Sequence, residues 1–505
     1  MSGGVALLDY DGDGFLDIYL VNGALLGDPL PPDAQPDKSG PQYWNRLYRN
    51  RQDGTFEDVT KRAGVQGEGY GQGVAAGDYD NDGRPDLYVT SFGGGRLYRN
   101  RGDGGFEDVT AKAGVAGDGW LASAAFIDYD ADGDLDLFVS RYLDWSFSEN
   151  RWCGDETRKQ RAYCHPRYFE PVPHLLYRNE GDGRFTDVSA AIGLQDAPGK
   201  GLGIALLDAD GDGAIDIFVA NDKEPQQLFL NRPGGFEEDA LLTGVAYDGD
   251  GQTYSGMGVA SGDYDGDGWP DLLVNALALQ GYTLYGNEKG QFRDVAAESG
   301  VAAASERRSG WGTGFLDFDN DGRLDLFVAQ GHVMDNIEDT QPGVLYREPY
   351  MLLHNVGERF TDVSGEAGET FQAAHAGRGV AFGDLDNDGG VDIVINNNGE
   401  PAVLLRNQAK RGHWLILDLE GSADNRDGIG AQITAVFGDR KLHATASAAG
   451  SYMSSSDPRI HLGLGTAETV RRIEIHWPSG RRQTLREIGA DQVLTVRQSA
   501  AAMPE

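Results

Sequence analysis

The sequence predicts an all-β chain: a seven-bladed β-propeller followed by a small β-sandwich. Three observations carry this. A nine-residue loop with aspartate at positions 1, 3, 5 and 9 and glycine at 6 occurs seven times. Each loop lies between two short apolar runs, and two further strand-like segments follow. After Asn407 the loop stops recurring, and short strands separated by turn residues take over.

The loops hold Asp9, Asp11, Asp13 and Asp17; Asp78, Asp80, Asp82 and Asp86; Asp128, Asp130, Asp132 and Asp136; Asp208, Asp210, Asp212 and Asp216; Asp263, Asp265, Asp267 and Asp271; Asp317, Asp319, Asp321 and Asp325; Asp384, Asp386, Asp388 and Asp392. Their starts are 69, 50, 80, 55, 54 and 67 residues apart, a basic period near 50 with insertions. Alternate carboxylates on a tight loop suit a hard divalent cation, and calcium, up to seven ions, is the expected ligand. Glycine at position 6 permits the sharp turn.

The second repeat shows the unit. Gly73-Val74-Ala75-Ala76-Gly77 reads as a first strand, Leu87-Tyr88-Val89-Thr90-Ser91 as a second and Arg96-Leu97-Tyr98-Arg99-Asn100 as a third. Asp103-Gly104 turns the chain into Phe106-Glu107-Asp108-Val109-Thr110, the fourth. Third strands end at Asn50, Asn100, Asn179, Asn231, Asn287, Asn355 and Asn407. Five residues before each loop stands a small residue: Gly4, Gly73, Ser123, Gly203, Gly258, Gly312 or Gly379. That register suits an innermost strand where blades converge. The tripeptide Arg101-Gly102-Asp103 reads as an ordinary hairpin turn.

The C-terminal segments His413–Glu420, Ala431–Phe437, Lys441–Ser447, Arg459–Leu464, Arg471–Trp477, Arg482–Arg486 and Gln492–Val496 read as a β-sandwich. The expected division is a propeller over 1–410, a sandwich over 411–498 and a disordered tail over 499–505. Ser451, Ser454, Ser455 and Ser456 have no base paired to them and read as a turn.

Formal net charge is −37; setting aside the 28 loop aspartates leaves −9, so most of the acidity belongs to the loops. Such a surface repels phosphate backbones and excludes nucleic acid as a partner. Cys153 and Cys164 are the two cysteines, in one insertion. A disulfide between them fits an oxidising compartment; the alternative is two free thiols. His165 alone does not complete a zinc set. No transmembrane run is present. Met1-Ser2-Gly3-Gly4 leads directly into the first strand, so a signal peptide is absent and a leader is expected to be missing from this chain.

Strand direction puts the aspartate loops on one face and the long insertions, Gly23–Asn45, Tyr142–Pro173 and Gly331–Pro349, on the other. That second face is expected to show Tyr70, Trp120, Arg141, Lys200, Tyr254, Arg308, Trp311, His332, His375 and Arg378, a candidate site for a polar or anionic ligand. The alternative is that these residues pack the insertions and cap the channel. No catalytic set is evident.

The repeats Gly-Val-Ala-Ala-Gly-Asp-Tyr-Asp (73–80) and Leu-Tyr-Arg-Asn (97–100) resemble the blades of the cartilage acidic protein 1 family, FG-GAP/VCBS-repeat proteins with an ASPIC/UnbV domain whose propeller is similar to that of integrin α chains. Asn425-Arg426-Asp427-Gly428-Ile429-Gly430-Ala431, Ser451-Tyr452, Asp457-Pro458-Arg459, His461-Leu462-Gly463-Leu464-Gly465 and Trp477-Pro478-Ser479-Gly480 resemble that family's tail. The resemblance implies a secreted, periplasmic or cell-surface calcium-binding propeller with a protein or glycan partner. The alternative function is an enzyme acting on a polar small molecule or natural product at the face opposite the loops. Family members carry sequence before the first loop that could close the ring. Here the seventh blade is expected to borrow an outer strand such as His413–Leu419 or stay open.

Overall fold

Each aspartate loop joins two antiparallel strands, and the repeat builds outward from that joint. In the second repeat Tyr70–Gly77, Asp86–Phe92, Arg96–Asn100 and Phe106–Asp108 pair in sequence order, with Gly77 opposite Asp86. The computed structural model describes residues 3–27, 31, 33–157, 159–357 and 359–499, so the expected 499–505 tail lies outside the described residues except for Ser499, whose amide donates to Gln483 Oε1. The described chain is all-β, and seven sheets follow this plan. Their inner strands are Val5–Leu8, Tyr70–Gly77, Leu121–Ile127, Gly201–Leu207, Val259–Gly262, Gly310–Leu316 and Gly377–Gly383. Each packs on the next, and the last packs on the first.

The small-residue register has the steric cause expected of it. A Cβ added at Gly258 would collide with the Trp311 carbonyl oxygen on the neighbouring inner strand, and one at Gly4 with the Met453 oxygen. The Phe-x-Asp-Val-Thr motif of the outer strand has a local role. Asp58 Oδ1 accepts hydrogen bonds from the Thr60 amide and hydroxyl (3.0 and 2.6 Å), opening a one-turn helix, Thr60–Ala63. Thr60 Oγ1 in turn accepts from the Leu47 amide (3.0 Å), tying that turn to the third strand.

Ring closure uses hydrogen bonds between repeats rather than an exchanged strand. The asparagine ending each third strand donates from Nδ2 to the position-2 carbonyl of the preceding repeat's loop: Asn100 to Tyr10, Asn179 to Tyr79, Asn231 to Tyr129, Asn287 to Ala209, Asn355 to Tyr264 and Asn407 to Phe318. Asn50 completes the circle, donating to Leu385 of the seventh repeat (2.8 Å). Gly379 N donates to Gly3 O across the same seam (3.1 Å). The seventh sheet has three strands, Gly377–Gly383, Asp392–Asn397 and Val403–Leu405. It does not borrow His413–Leu419. That segment lies in His413–Glu420, which pairs with Ile460–Gly465 and Gln492–Arg497 in the C-terminal domain.

The C-terminal domain stacks that three-stranded sheet on a second of four strands, Arg440–Thr445, Gln432–Phe437, Thr469–His476 and Arg482–Gly489, around a core that includes Leu415, Ile433, Ile473 and Trp477. Its remaining hairpin, Ala449–Gly450 with Ser454–Ser455, leaves the sandwich and enters the centre of the ring. There the serine-rich stretch, expected as a plain turn, meets every inner strand. Val5 N, Ala76 N, Thr313 N and Phe382 N donate to the hydroxyls of Ser454, Ser455, Ser451 and Ser456, each at 3.2 Å. Met453 N donates to Ser123 Oγ (3.1 Å), Val259 N donates to Ser451 O (3.1 Å), and Gly201–Leu207 packs on Ala449–Gly450. Inner-strand amides at a ring centre lack partners on one side, and these hydroxyls satisfy them.

Candidate functional site

The aspartate loops fold around their own first carboxylate. In all seven, the position-6 glycine amide donates to the position-1 side chain, from Gly14 to Asp9 (2.8 Å) through Gly389 to Asp384 (2.7 Å). That glycine has positive φ in every loop, and so does position 4, held by Gly12, Asn81, Ala131, Gly211, Gly266, Asn320 and Asn387. The second left-handed position explains why Gly and Asn dominate there. The position-9 aspartate anchors the loop to the sheet: its Oδ1 accepts the amide of the third-strand asparagine in all seven repeats, as in Asn100 N to Asp86 (2.6 Å).

This wiring draws carboxylates together. Asp78, Asp80 and Asp86 each bring an oxygen within 4.8 Å of the others, as do Asp128, Asp130 and Asp136, Asp208, Asp210 and Asp216, and Asp9, Asp11 and Asp13. Burial, with neighbouring aspartates adding to it, pushes the position-9 carboxyls up: Asp86 and Asp136 to about 9, Asp17, Asp271 and Asp325 to about 8. Positions 3 and 5 face arginines in several repeats. Arg49 Nε lies 2.6 Å from Asp11, Arg99 Nη2 3.0 Å from Asp82, and Arg232 Nη1 2.8 Å from Asp212. In the fifth repeat Gly286 stands at that place, and among the described residues no cation pairs with Asp263, Asp265, Asp267 or Asp271.

The C-terminal domain sits on this face. Asp427 Oδ2 accepts from Asp78 N (2.8 Å), Gln432 donates to Asp208 Oδ2 (2.7 Å), and Arg459 donates to Asp384 O (3.1 Å). His461 Nε2 meets Gly389 O at 3.1 Å.

The opposite face does not present the ten expected residues as one open site. Lys200 is buried, its ammonium 2.6 Å from Glu224 and 3.1 Å from Pro166 O, where it pins an insertion. Tyr254 is buried and shares a 3.0 Å hydrogen bond with Tyr285. Arg141 donates to Asp118 (3.0 Å) and Pro173 O (2.5 Å). Trp120 packs edge-on to Phe92 and Tyr142. Tyr70 is half-buried against Gly23. These five are packing residues: Tyr254 packs within its blade, and the other four hold or are covered by the insertions and their neighbouring loops. His375 is held by Glu400 (3.0 Å) and stacks on Tyr350, while its Nε2 has no hydrogen-bond partner among the described residues. Arg308 borders a separate cleft, shared with Arg307.

Trp311, His332 and Arg378 do come together, at the end of the central channel. Arg378 is 1% exposed, donates to the Gly377 and His332 carbonyls (2.6 and 3.1 Å) and lies 4.1 Å over the Trp311 ring. Tyr452, at the tip of the inserted hairpin, meets Trp311 edge-on at 5.0 Å. The central depression expected on this face is therefore filled from behind by the C-terminal hairpin. Burial holds the His332 imidazole down to about 4. Cys153 and Cys164 are disulfide-bonded, with Cα atoms 5.2 Å apart. No described helix is long and apolar enough to cross a membrane.

The fold and loops meet their counterparts in known proteins. Residues 9–89, 78–139, 174–219 and 208–274 match the FG-GAP-like repeat, and residues 421–503 match the ASPIC and UnbV family. The chain is an FG-GAP-repeat protein with an ASPIC and UnbV domain. It is similar to cartilage acidic protein 1 of Xenopus tropicalis, 29% identical over 313 residues (59% of this chain, 44% of that protein). The human protein of that name is 27% identical over 307 residues (58% and 43%), so the chain spans less than half the length of these relatives. The expected family resemblance is borne out. Among solved structures, an Agrocybe aegerita lectin that recognises non-reducing terminal N-acetylglucosamine covers 71% of this chain and 79% of its own, at 16% identity and a TM-score of 0.40. A Bacillus licheniformis rhamnogalacturonan lyase covers 81% and 72% at 14% identity, also with a TM-score of 0.40. Likenesses this distant carry nothing further.

Proposed function

We propose that this protein is a secreted, periplasmic or cell-surface binding module in which calcium holds the ring and its C-terminal domain, while the insertion face meets a protein or glycan. The observation that supports it is a pair of buried carboxylate oxygens in the second loop that no hydrogen bond satisfies. Asp86 Oδ2 and Asp80 Oδ1 are buried without a hydrogen-bond partner, and Asp78, Asp80 and Asp86 each bring an oxygen within 4.8 Å of the others. Clustered carboxylates with orphan buried oxygens fit a hard cation with oxygen ligands. The loop aspartates would hold the ion, which supplies positive charge where burial otherwise forces protons onto the carboxyls. The disulfide suits an oxidising compartment.

The test is metal analysis of the purified protein with calorimetric calcium titration. Several bound calcium ions per chain are expected, with the fifth loop, which faces no arginine, filling among the tightest. A chain that neither binds calcium nor changes its melting temperature with chelator would sink the metal reading.

A further inference from the structure

The disulfide-stapled insertion carries a group unlike the rest of this acidic surface. Tyr168 is 46% exposed, and two guanidiniums stack on its ring, Arg151 at 5.3 Å and Arg167 at 5.0 Å from the centroid. Arg167 also donates to the Tyr168 hydroxyl (3.0 Å). Among the described residues neither arginine has a carboxylate within 4.0 Å, on a chain whose net charge is −37. Cations left unpaired on so acidic a protein call for an external anion.

A second arginine pair stands on the same face. Arg307 and Arg308 line a cleft of about 400 Å³ with Gly343, Leu345, Glu348, two alanines and the exposed Glu306, whose single charge is outnumbered by the two guanidiniums. Glu348 is 1% exposed, so it cannot itself meet a ligand; its Oε2 lies 3.7 Å from Arg308 Nη1 and has no hydrogen bond. Burial pushes the Glu348 carboxyl up to about 7, which leaves the charge of Arg308 incompletely matched at neutral pH. Arg307 is fixed by a 2.8 Å hydrogen bond to Pro342 O. The two pairs are bridged by one segment: Asn336 donates to Arg161 O (3.0 Å) and Gln160 to Asp339 (3.3 Å) at its stapled-hairpin end, while Gly343 and Glu348 form the cleft at the other.

We propose that this surface binds an acidic polysaccharide, its carboxylate or sulfate groups meeting Arg151, Arg167, Arg307 and Arg308 and a sugar ring stacking beside Tyr168. The inference deepens the binding-module reading and rests on it. A glycan fits better than an acidic protein because the cleft admits one or two sugar residues and the exposed aromatics here are isolated rings, not the contiguous apolar core of a protein interface.

The experiment uses the full chain at 0.15 M salt, desalted after calcium loading, over immobilised polygalacturonate, dextran sulfate, neutral dextran and poly-L-glutamate. Binding to one or both acidic glycans and not to neutral dextran is expected, the preferred arm naming carboxylate or sulfate. R151A/R167A should weaken it at least about tenfold, and R307A more modestly, with melting temperatures unchanged. The inference is overturned by a wild type that ignores both acidic glycans, by binding indifferent to both variants, or by equal binding of poly-L-glutamate. A wild type that binds a neutral glycan or a protein while ignoring the polyanions overturns this site and leaves the binding-module reading standing.

Discussion

On the aspartate-loop face, seven copies of one wiring pattern repeat in register, and a whole domain is laid over them, threaded through the ring by a serine-rich hairpin. On the insertion face no two repeats are alike. Lys200 and Arg141 are consumed in holding an insertion down, Tyr254 is buried against Tyr285, and Arg151 and Arg167 lack carboxylate partners among the described residues. The first face is built from repeated backbone-to-carboxylate bonds, which every unit needs to turn. The second is built from loops that the repeat does not constrain. The contrast separates what holds the ring from what is free to recognise something.

The sharpest way to break that contrast is to withhold the proposed calcium. Chelator should lower the melting temperature by more than about 10 °C, because several sites filled far above their Kd each contribute a few kcal/mol. Scanning fluorimetry with and without calcium decides it; an equal melting point in both would place the ring's stability elsewhere. Next in size is the inserted hairpin. Tyr452 is fully buried against Trp311, so Tyr452→Ala should cost about 3–5 kcal/mol in chemical denaturation. Trp152→Ala, 44% exposed on the other face, should stay within about 0.5 kcal/mol. A smaller effect belongs to the seam. Asn50→Ala removes the bond from the first repeat to Leu385 and should cost about 1–3 kcal/mol, with limited proteolysis cutting first near residues 1–25 or 377–410.

The pH dependence sharpens the comparison further. Burial holds His174, His332 and His461 down to about 4, against an unfolded value near 6.5. The unfolded chain therefore takes up protons first as pH falls, and stability present above pH 6.5 is lost between there and about 4. His461 is the C-terminal domain's own contact with the loop face, at Gly389, and His332 lies by the channel end. His461→Asn should flatten the acid limb of the melting-temperature profile and loosen the domain's grip; His332→Asn should flatten it without that loosening. The smallest effect is expected from Cys153→Ser/Cys164→Ser, which should leave global melting nearly unchanged while weakening acidic-glycan binding.

The repeat, its loops and its strand order were legible in the sequence because each is dictated locally. An Asp-x-Asp-x-Asp-Gly run can only turn sharply, and the aspartate of Phe106-Glu107-Asp108 accepts the amide and hydroxyl of Thr110, the first residue of the short helix that follows. The glycines at Gly4 and Gly258 were legible as inner-strand positions, since a shared register in unrelated segments has a steric cause. Family membership was legible for the same reason. The role of the asparagine closing each third strand was not, although its recurrence was plain: its partner sits one repeat away, about a hundred residues back in the case of Asn179 and Tyr79.

What the tertiary structure alone decided is how this ring is closed and filled. Ser451, Tyr452, Ser454, Ser455 and Ser456 look like a polar turn, and locally they are one, with Ser451 and Met453 in left-handed conformations. Only in the assembled ring do their hydroxyls meet inner-strand amides from Val5 to Phe382. The sequence by itself determined the seven charged loops and the strands they join, because those depend on near neighbours. Which face is covered, which arginines stay unpaired and what fills the channel depend on contacts between residues hundreds of positions apart, and the local pattern carries no record of them.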